Sequence, residues 1–331
     1  MKKVFILGIN GFIGHHLTKT ILQTTDWQIF GIDLLNDKLK DCLDHPRLHF
    51  FEGDIRLNKQ WIEHHIELCD VILPLVAIAT PAQYIQQTLQ VFELDFEENL
   101  SIIRLVVQYD KHLVFPSTSE VYGMTTDDTT EFDPIQSQFT YGSIDKSRWI
   151  YACSKQLLDR IIYQFGKENQ LKFTLFRPFN WIGTGLDSIQ SSKQNSSRVV
   201  TQFFHNILQS RPIYLVNGGE QTRLFTDIQD GINALIQIIH NQNNIALGKI
   251  YNIANTNNSI SIRQLAHFIC QIVNRNNEIE IVDISSDEYY GIGYQDTLHR
   301  LANVEQTEKD LNWKANIDIQ TSLTNIFHSL Q

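Results

Sequence analysis

Residues 3–14, "KVFILGINGFIG", carry an apolar stretch straight into three glycines, Gly8, Gly11 and Gly14. A run without polar alternation suits a strand buried on both faces. Glycines directly behind it permit a tight turn and a close backbone approach at the start of the next helix, expected near Phe12. Strand, glycine turn and helix N-terminus in that order form a receptor for a pyrophosphate. The spacing is GxxGxxG, a modified form of the dinucleotide fingerprint. A glycine triplet alone is also an ordinary turn, so the surrounding sequence has to decide.

Further apolar runs, "QIFGID", "LHFFEGD", "DVILPLVA", "HLVFPST" and "KFTLFRPFN", alternate with amphipathic segments. Strands alternating with helices imply a parallel sheet covered on both faces. The expected fold is therefore α/β, a Rossmann-type doubly wound parallel sheet with a smaller C-terminal α/β substrate-binding domain. The first domain is placed at 1–180 and the second, partly interleaved with it, at 181–331. The division rests on a change of character after Asn180: "TGLDSIQSSKQNSSR" is polar and Ser/Gln-rich, a surface loop or one that closes over a ligand, and a helix and the short strand "PIYLV" follow.

Asp33 ends the second run, where a carboxylate binds a ribose 2′-hydroxyl and repels a 2′-phosphate, favouring NAD over NADP. Asp54 and Ile55 end the third run where an adenine would lie, although "GD" is also a common strand-end turn. Expected cofactor contacts are Gly8, Asn10, Gly11, Phe12, Ile13, Gly14, Asp33, Asp54 and Ile55.

Charge narrows the partners. A net charge of −10 offers no basic field for nucleic acid or an anionic membrane, so an anionic ligand must meet individually placed Arg or Lys. "VILPLVAIA" is far short of the roughly 20 residues that span a membrane, and the N-terminal run reads as a strand rather than a signal sequence. Cys42, Cys69, Cys153 and Cys270 form no CxxC pair and read as reduced thiols of a cytoplasmic protein. His15–His16 and His64–His65 lack metal-ligand spacing; they read as helix-surface residues, and no metal site is expected.

"YACSK" puts Tyr151 and Lys155 at i and i+4, on one face of a helix expected from about Trp149 to Phe165. A phenol with a pKa near ~10 is a poor base at neutrality, but an adjacent ammonium lowers it by about 1–3 units. Tyr151 could then take a proton from a sugar hydroxyl while the carbon gives up hydride. By itself Tyr-x-x-x-Lys is common; behind a dinucleotide turn it is specific, and it adds Tyr151 and Lys155 to the cofactor contacts.

Together GxxGxxG, "PSTSEVYG" and "YACSK" resemble the extended short-chain dehydrogenase/reductases that act on nucleotide sugars. The resemblance implies a catalytic triad of Thr118, Tyr151 and Lys155. Within that family, 4,6-dehydratases resemble Thr-Asp-Glu before "VYG", with an acid to expel the C6 hydroxyl. Here the tripeptide is Thr118-Ser119-Glu120. A C6 carboxylate explains this better, because a C4 ketone lets it leave as carbon dioxide without a leaving-group acid. Arg300 is suited to pair with that carboxylate or to orient the proton source.

A narrower resemblance, carried by "PLVAIATP", "VFELDFEENL", "RWIY", "FTLFRPFNW" and "GYQDTLHR", is to the UDP-glucuronic acid decarboxylase (dehydrogenase) domain of ArnA-type enzymes. It runs from Lys3 to about Phe327 and is weakest from Thr256 to Asp287. It implies Glu120 as general base, Arg300 as general acid and Ser119 assisting. Substrate contacts would fall on Ala79, Tyr84, Thr118, Ser119, Arg148, Asn180, Arg198, Tyr214, Arg223 and Tyr294, with Arg198 and Arg223 meeting the diphosphate. Tyr214 stands where these enzymes have a lysine, exchanging a charged contact for stacking or hydroxyl bonding. No formyltransferase half is expected ahead of Met1.

The implied reaction converts UDP-glucuronic acid and NAD into a UDP-4-keto-pentose, carbon dioxide and NADH, in aminoarabinose lipid A or surface polysaccharide synthesis. A UDP-xylose synthase, which returns the hydride, shares Thr-Ser-Glu; "PLVAIATP" and "RPFNW" favour the first reading. A non-catalytic NAD sensor on the same fold would need none of Glu120, Tyr151, Lys155 and Arg300. A homodimer through helices at 89–107 and 149–165 is the expected assembly.

Overall fold

The structure is a computed structural model and describes residues 1–125, 131–187, 197–275 and 278–330. Residues 188–196, most of the Ser/Gln-rich loop, lie outside the described residues.

Val4 to Leu7 have no exposed surface, as a doubly covered strand requires. They belong to β1 (Lys3–Leu7), followed by β2 (Gln28–Asp33), β3 (Leu48–Glu52), β4 (Val71–Pro74), β5 (His112–Pro116) and β6 (Lys172–Pro178). Later strands are β7 (Trp181–Ile182), β8 (Ile213–Val216), β9 (Thr222–Leu224), β10 (Thr226–Asp227), β11 (Lys249–Ile253), β12 (Ser259–Ser261), β13 (Ile281–Ile284) and β14 (His299–Arg300).

Seven of these form one parallel sheet in the order β11-β6-β5-β4-β1-β2-β3. The order reverses between β1 and β4, and the crevice beyond the strand ends at such a switch point is where open α/β sheets bind ligands. Six strands match the six apolar runs read from the sequence. The seventh, β11, was not among them and covers the free edge of β6, with Tyr251 and Ile253 fully buried.

Alternation along β1 builds the two faces. Val4 and Ile6 pack with Leu17 and Ile21 of the helix Phe12–Thr24 and with Ile232, Leu235 and Ile239 of the helix Ile228–His240. Phe5 and Leu7 pack on the other side with Ile103 and Val106 of Asn99–Gln108 and Leu158 and Ile162 of Ile150–Lys167. A separate cluster joins Phe203 and Phe204 of Val199–Leu208 to Leu265 and Ile269 of Ile262–Ile272 and Leu323 of Ile319–Ser329, beside the parallel pair β8 and β13.

Two expectations change. The helix expected over 89–107 is three pieces, Thr88–Phe92, a π-helical turn Glu93–Glu98 and Asn99–Gln108. His15 is buried rather than on the helix surface, its Nδ1 2.8 Å from Gly11 O, because the first turn of its helix packs under the loop that carries Gly185. No helix among the described residues is long and apolar enough to cross a membrane, and all four cysteines are free thiols.

Candidate active site

At the cofactor end the chain turns where β1 stops. Gly8 has φ +85°, a left-handed conformation that favours glycine, and a Cβ on Gly14 would lie 2.4 Å from Gly8 O and 2.6 Å from Ile9 O. The turn is fastened to the end of β2: Asn10 N donates to Asp33 Oδ2 at 2.8 Å, and Leu34 N to Oδ1 at 2.8 Å. The Asn10 side chain continues the clasp, donating to Asp37 at 2.8 Å and accepting from Lys38 N at 2.9 Å. Beyond it Asp33, Asp54 and Ile55 line a cavity of about 560 Å³ with Gly53, Val76 and Ile78. Asp54, two residues past β3, is paired with Arg56 at 2.6 Å. A turn closed so tightly at a helix N-terminus, next to an acid-edged cavity, fits an adenine dinucleotide.

Phe12, Ile13, Tyr151 and Lys155 lead into a second cavity, of about 320 Å³. Its walls bring together the remaining residues expected from sequence: Ala79, Tyr84, Thr118, Ser119, Glu120, Arg148, Asn180, Arg198, Tyr214, Arg223, Tyr294 and Arg300. Two residues past the end of β5 stands Thr118, whose hydroxyl accepts from Glu120 N at 3.2 Å and starts the short turn Ser119–Tyr122. The helix Ile150–Lys167 supplies Tyr151, stacked on Tyr84 with ring centroids 4.7 Å apart, and Lys155, whose Nζ donates to Pro116 O at 3.1 Å.

Around Glu120 lies a buried charge cluster. Arg148 Nη1 is 2.8 Å from Glu120 Oε2, and Arg300 Nη1 is 3.7 Å from Oε1. Asp296 closes the ring, 3.6 Å from both Arg148 and Arg300 and 2.6 Å from Arg223. Three guanidiniums thus face two carboxylates, and Arg300 Nε and Nη2 are buried without a hydrogen-bond partner. The cluster is short of one negative charge, which an anionic ligand would supply.

Residues 4–254 match the model of the NAD dependent epimerase/dehydratase family. The chain belongs to that family. NAD is accordingly its cofactor. The crystal structure of the PbgP3 protein from Burkholderia pseudomallei is 53% identical, over 99% of this chain and 96% of that one, with a TM-score of 0.89. More distant structures share the fold. A dTDP-glucose 4,6-dehydratase from Bacillus anthracis, in complex with NAD, is 20% identical over 100% of this chain and 96% of its own, with a TM-score of 0.81. A mutant UDP-glucuronic acid 4-epimerase from Bacillus cereus is 16% identical over 99% and 98%, with a TM-score of 0.83.

In this member of the epimerase/dehydratase family, electrostatics correct one expectation. Lys155 does not lower the Tyr151 phenol: burial, then the Asp95 and Glu120 carboxylates, push it well above its ordinary range, while Lys155 turns to Pro116 O. Burial tends to raise Glu120, but Arg148 and Arg300 outweigh it and hold the carboxyl below its usual value. Arg300 is pulled down to about 10, by burial first and then by Arg223. Asp296 is held at about 2 because Arg223, Arg148 and Arg300 overcome its burial.

Sequence reasoning missed two acids that the cavity arginines use. Asp296 lies inside the quoted "GYQDTLHR", four residues before Arg300, and that spacing was the available signal. Asp187, Arg198's partner at 2.8 Å, had none. Tyr214, 40% exposed, stands at the cavity rim near Tyr289, with ring centroids 6.5 Å apart.

Proposed function

We propose that the chain oxidatively decarboxylates UDP-glucuronic acid to a UDP-4-keto-pentose, carbon dioxide and NADH. The reading is carried by the cluster in which Arg148 and Arg300 flank Glu120, with a hydroxyl, Ser119, beside it in place of a second acid. A serine cannot protonate a departing hydroxide near neutrality, so expulsion of water is disfavoured; loss of carbon dioxide has no such requirement.

Tyr151 takes the C4 hydroxyl proton as the phenolate, a form that its burial disfavours and that the positive charge of a bound nicotinamide would favour, with Thr118 bonded to the same oxygen as C4 is oxidised. Bound NAD supplies the acceptor for the C4 hydride. The C6 carboxylate is then β to a ketone: the C5–C6 bond breaks, carbon dioxide departs, and the electron pair enters an enolate spanning C5, C4 and the C4 oxygen. Glu120 as general base and Arg300 as general acid serve the proton taken up at C5, with Ser119 assisting. A guanidinium whose pKa falls to about 10 gives up a proton far more readily than an exposed one. One proton leaves the C4 hydroxyl and one is gained at C5, so the cycle balances.

Arg148, Arg198 and Arg223 offer the cationic contacts that a carboxylate and a diphosphate need, while Ala79, Tyr84, Asn180, Tyr214 and Tyr294 line the remaining wall. Mixing the protein with UDP-glucuronate and excess NAD, and following NADH absorbance with carbon dioxide release, tests the reading. NADH and carbon dioxide should accumulate one for one. UDP-xylose without NADH would replace this reaction by one that returns the hydride.

A further inference from the structure

Asp95 is an acid for which the reaction above has no use. It lies on the π-helical turn Glu93–Glu98, with no exposed surface. One hydrogen bond holds it: Ile78 N donates to Oδ2 at 3.1 Å, and Oδ1 has no partner. Burying a carboxylate with so little compensation is costly, and π turns inside helices recur at functional positions.

What faces Asp95 suggests its purpose. The helix Ile150–Lys167 packs against the π turn and brings up Tyr151 and Lys155, with Asp159 one turn further on. Tyr84 approaches from Pro81–Gln86, and Glu120, on the turn Ser119–Tyr122, acts together with Asp95 on Tyr151. Lys155 is the cation acting on Asp95. In return, two acids act on Lys155, Asp95 and Asp159. Asp159 is already engaged, accepting from Arg177 at 2.8 Å and from Ser117 at 2.7 Å. Asp95 has no such competing cation.

We propose that Asp95 is the counter-charge of Lys155 and a positioning residue for the Tyr151–Lys155 pair, acting through its negative charge and through the Ile78–Ala79 segment that it ties to the cavity wall. The inference rests on Tyr151 and Lys155 being the hydride-transfer pair. Burial of Lys155 works against its ammonium, and the Asp95 carboxylate opposes that loss. The same charge helps to hold the proton on Tyr151. Burial in turn raises Asp95 to about 7, with Lys155 and the Ile78 N–H opposing.

Asp95→Asn tests this, because it preserves size and the acceptor for Ile78 N–H while removing the charge. Without that charge the deprotonated forms of both Tyr151 and Lys155 are favoured. Both limbs of the kcat–pH profile should therefore move to lower pH, by about 1 unit or more. A purely structural lesion would lower kcat without moving the limbs. A second measurement needs no substrate: ¹³C NMR of aspartate carboxyls in the NAD-bound protein, with the Asp95 signal assigned by its absence in Asp95→Asn. That signal should titrate near 7 and move higher in Lys155→Met. Unmoved limbs, or a carboxyl that titrates at roughly 4 and ignores Lys155→Met, would overturn the proposal. If UDP-glucuronate is not oxidised at all, the proposed reaction fails while the carboxyl titration still decides on Asp95.

Discussion

Tyr151 keeps its ring in place by stacking on Tyr84, so removing only its hydroxyl leaves the packing intact. Tyr151→Phe should accordingly reduce turnover by about 10²–10⁴-fold, the usual worth of a positioned acid–base group, with NAD affinity unchanged. Steady-state rates beside a NAD titration followed by protein fluorescence check this; near-normal turnover would remove Tyr151 from the reaction. Tyr151 and Lys155 were legible because i,i+4 spacing on a helix is a local property. Asp296 was not, since its value lies in Arg148, Arg223 and Arg300, which arrive from three separate stretches of chain.

At the scale of elements, one buried ion pair ties two walls of the cavity together. Arg177 on β6 pairs with Asp159, one turn beyond Lys155, and its Nη1 donates to the Tyr122 hydroxyl at 2.9 Å. Asp159 also receives the Ser117 hydroxyl, so both residues that bracket Thr118–Val121 are fixed to the helix that carries Tyr151. The glycine turn is held as closely. In Gly14→Ala the new Cβ would stand 2.4 Å from a carbonyl oxygen, and neither backbone can yield cheaply. Loss of about 1–3 kcal/mol of stability is expected, as for other overpacked sites. NAD binding should weaken at least about tenfold, equivalent to ~1.4 kcal/mol. Thermal melts and NAD titration measure both, and an alanine variant that binds NAD normally would contradict the close-approach argument.

For the whole molecule, buried histidines set the acid limit. Burial lowers His15 and His112 to about 4, with His16 also acting on His15 and Lys2 on His112. The folded values lie below the unfolded ones, so the unfolded chain binds protons first as pH falls. Their stabilisation is complete above about 6.5 and is lost progressively toward 4, at roughly 1.4 kcal/mol per pH unit for each histidine. Asp296, depressed to about 2, extends the loss over the next two units. Asp95, raised to about 7, takes up its proton in the fold over the histidine window and offsets about one histidine. Urea midpoints should still fall from pH 6.5 to 4, by less than two histidines alone would give; a rise across that window would show these histidines to be protonated in the fold.

The parallel sheet, the dinucleotide turn and the helical Tyr–Lys pair are readable from the order of residues, because strand burial, glycine conformation and helix spacing are properties of short stretches. The packing of distant segments is what places β11 on the edge of β6, buries His15 and disfavours ionisation of the Tyr151 phenol. The same packing gathers Glu120, Arg148, Asp296 and Arg300 into one charge cluster. Each of these depends on residues far apart in the chain and on desolvation, and a charge acquires its acidity only from the neighbours and the burial that the fold gives it.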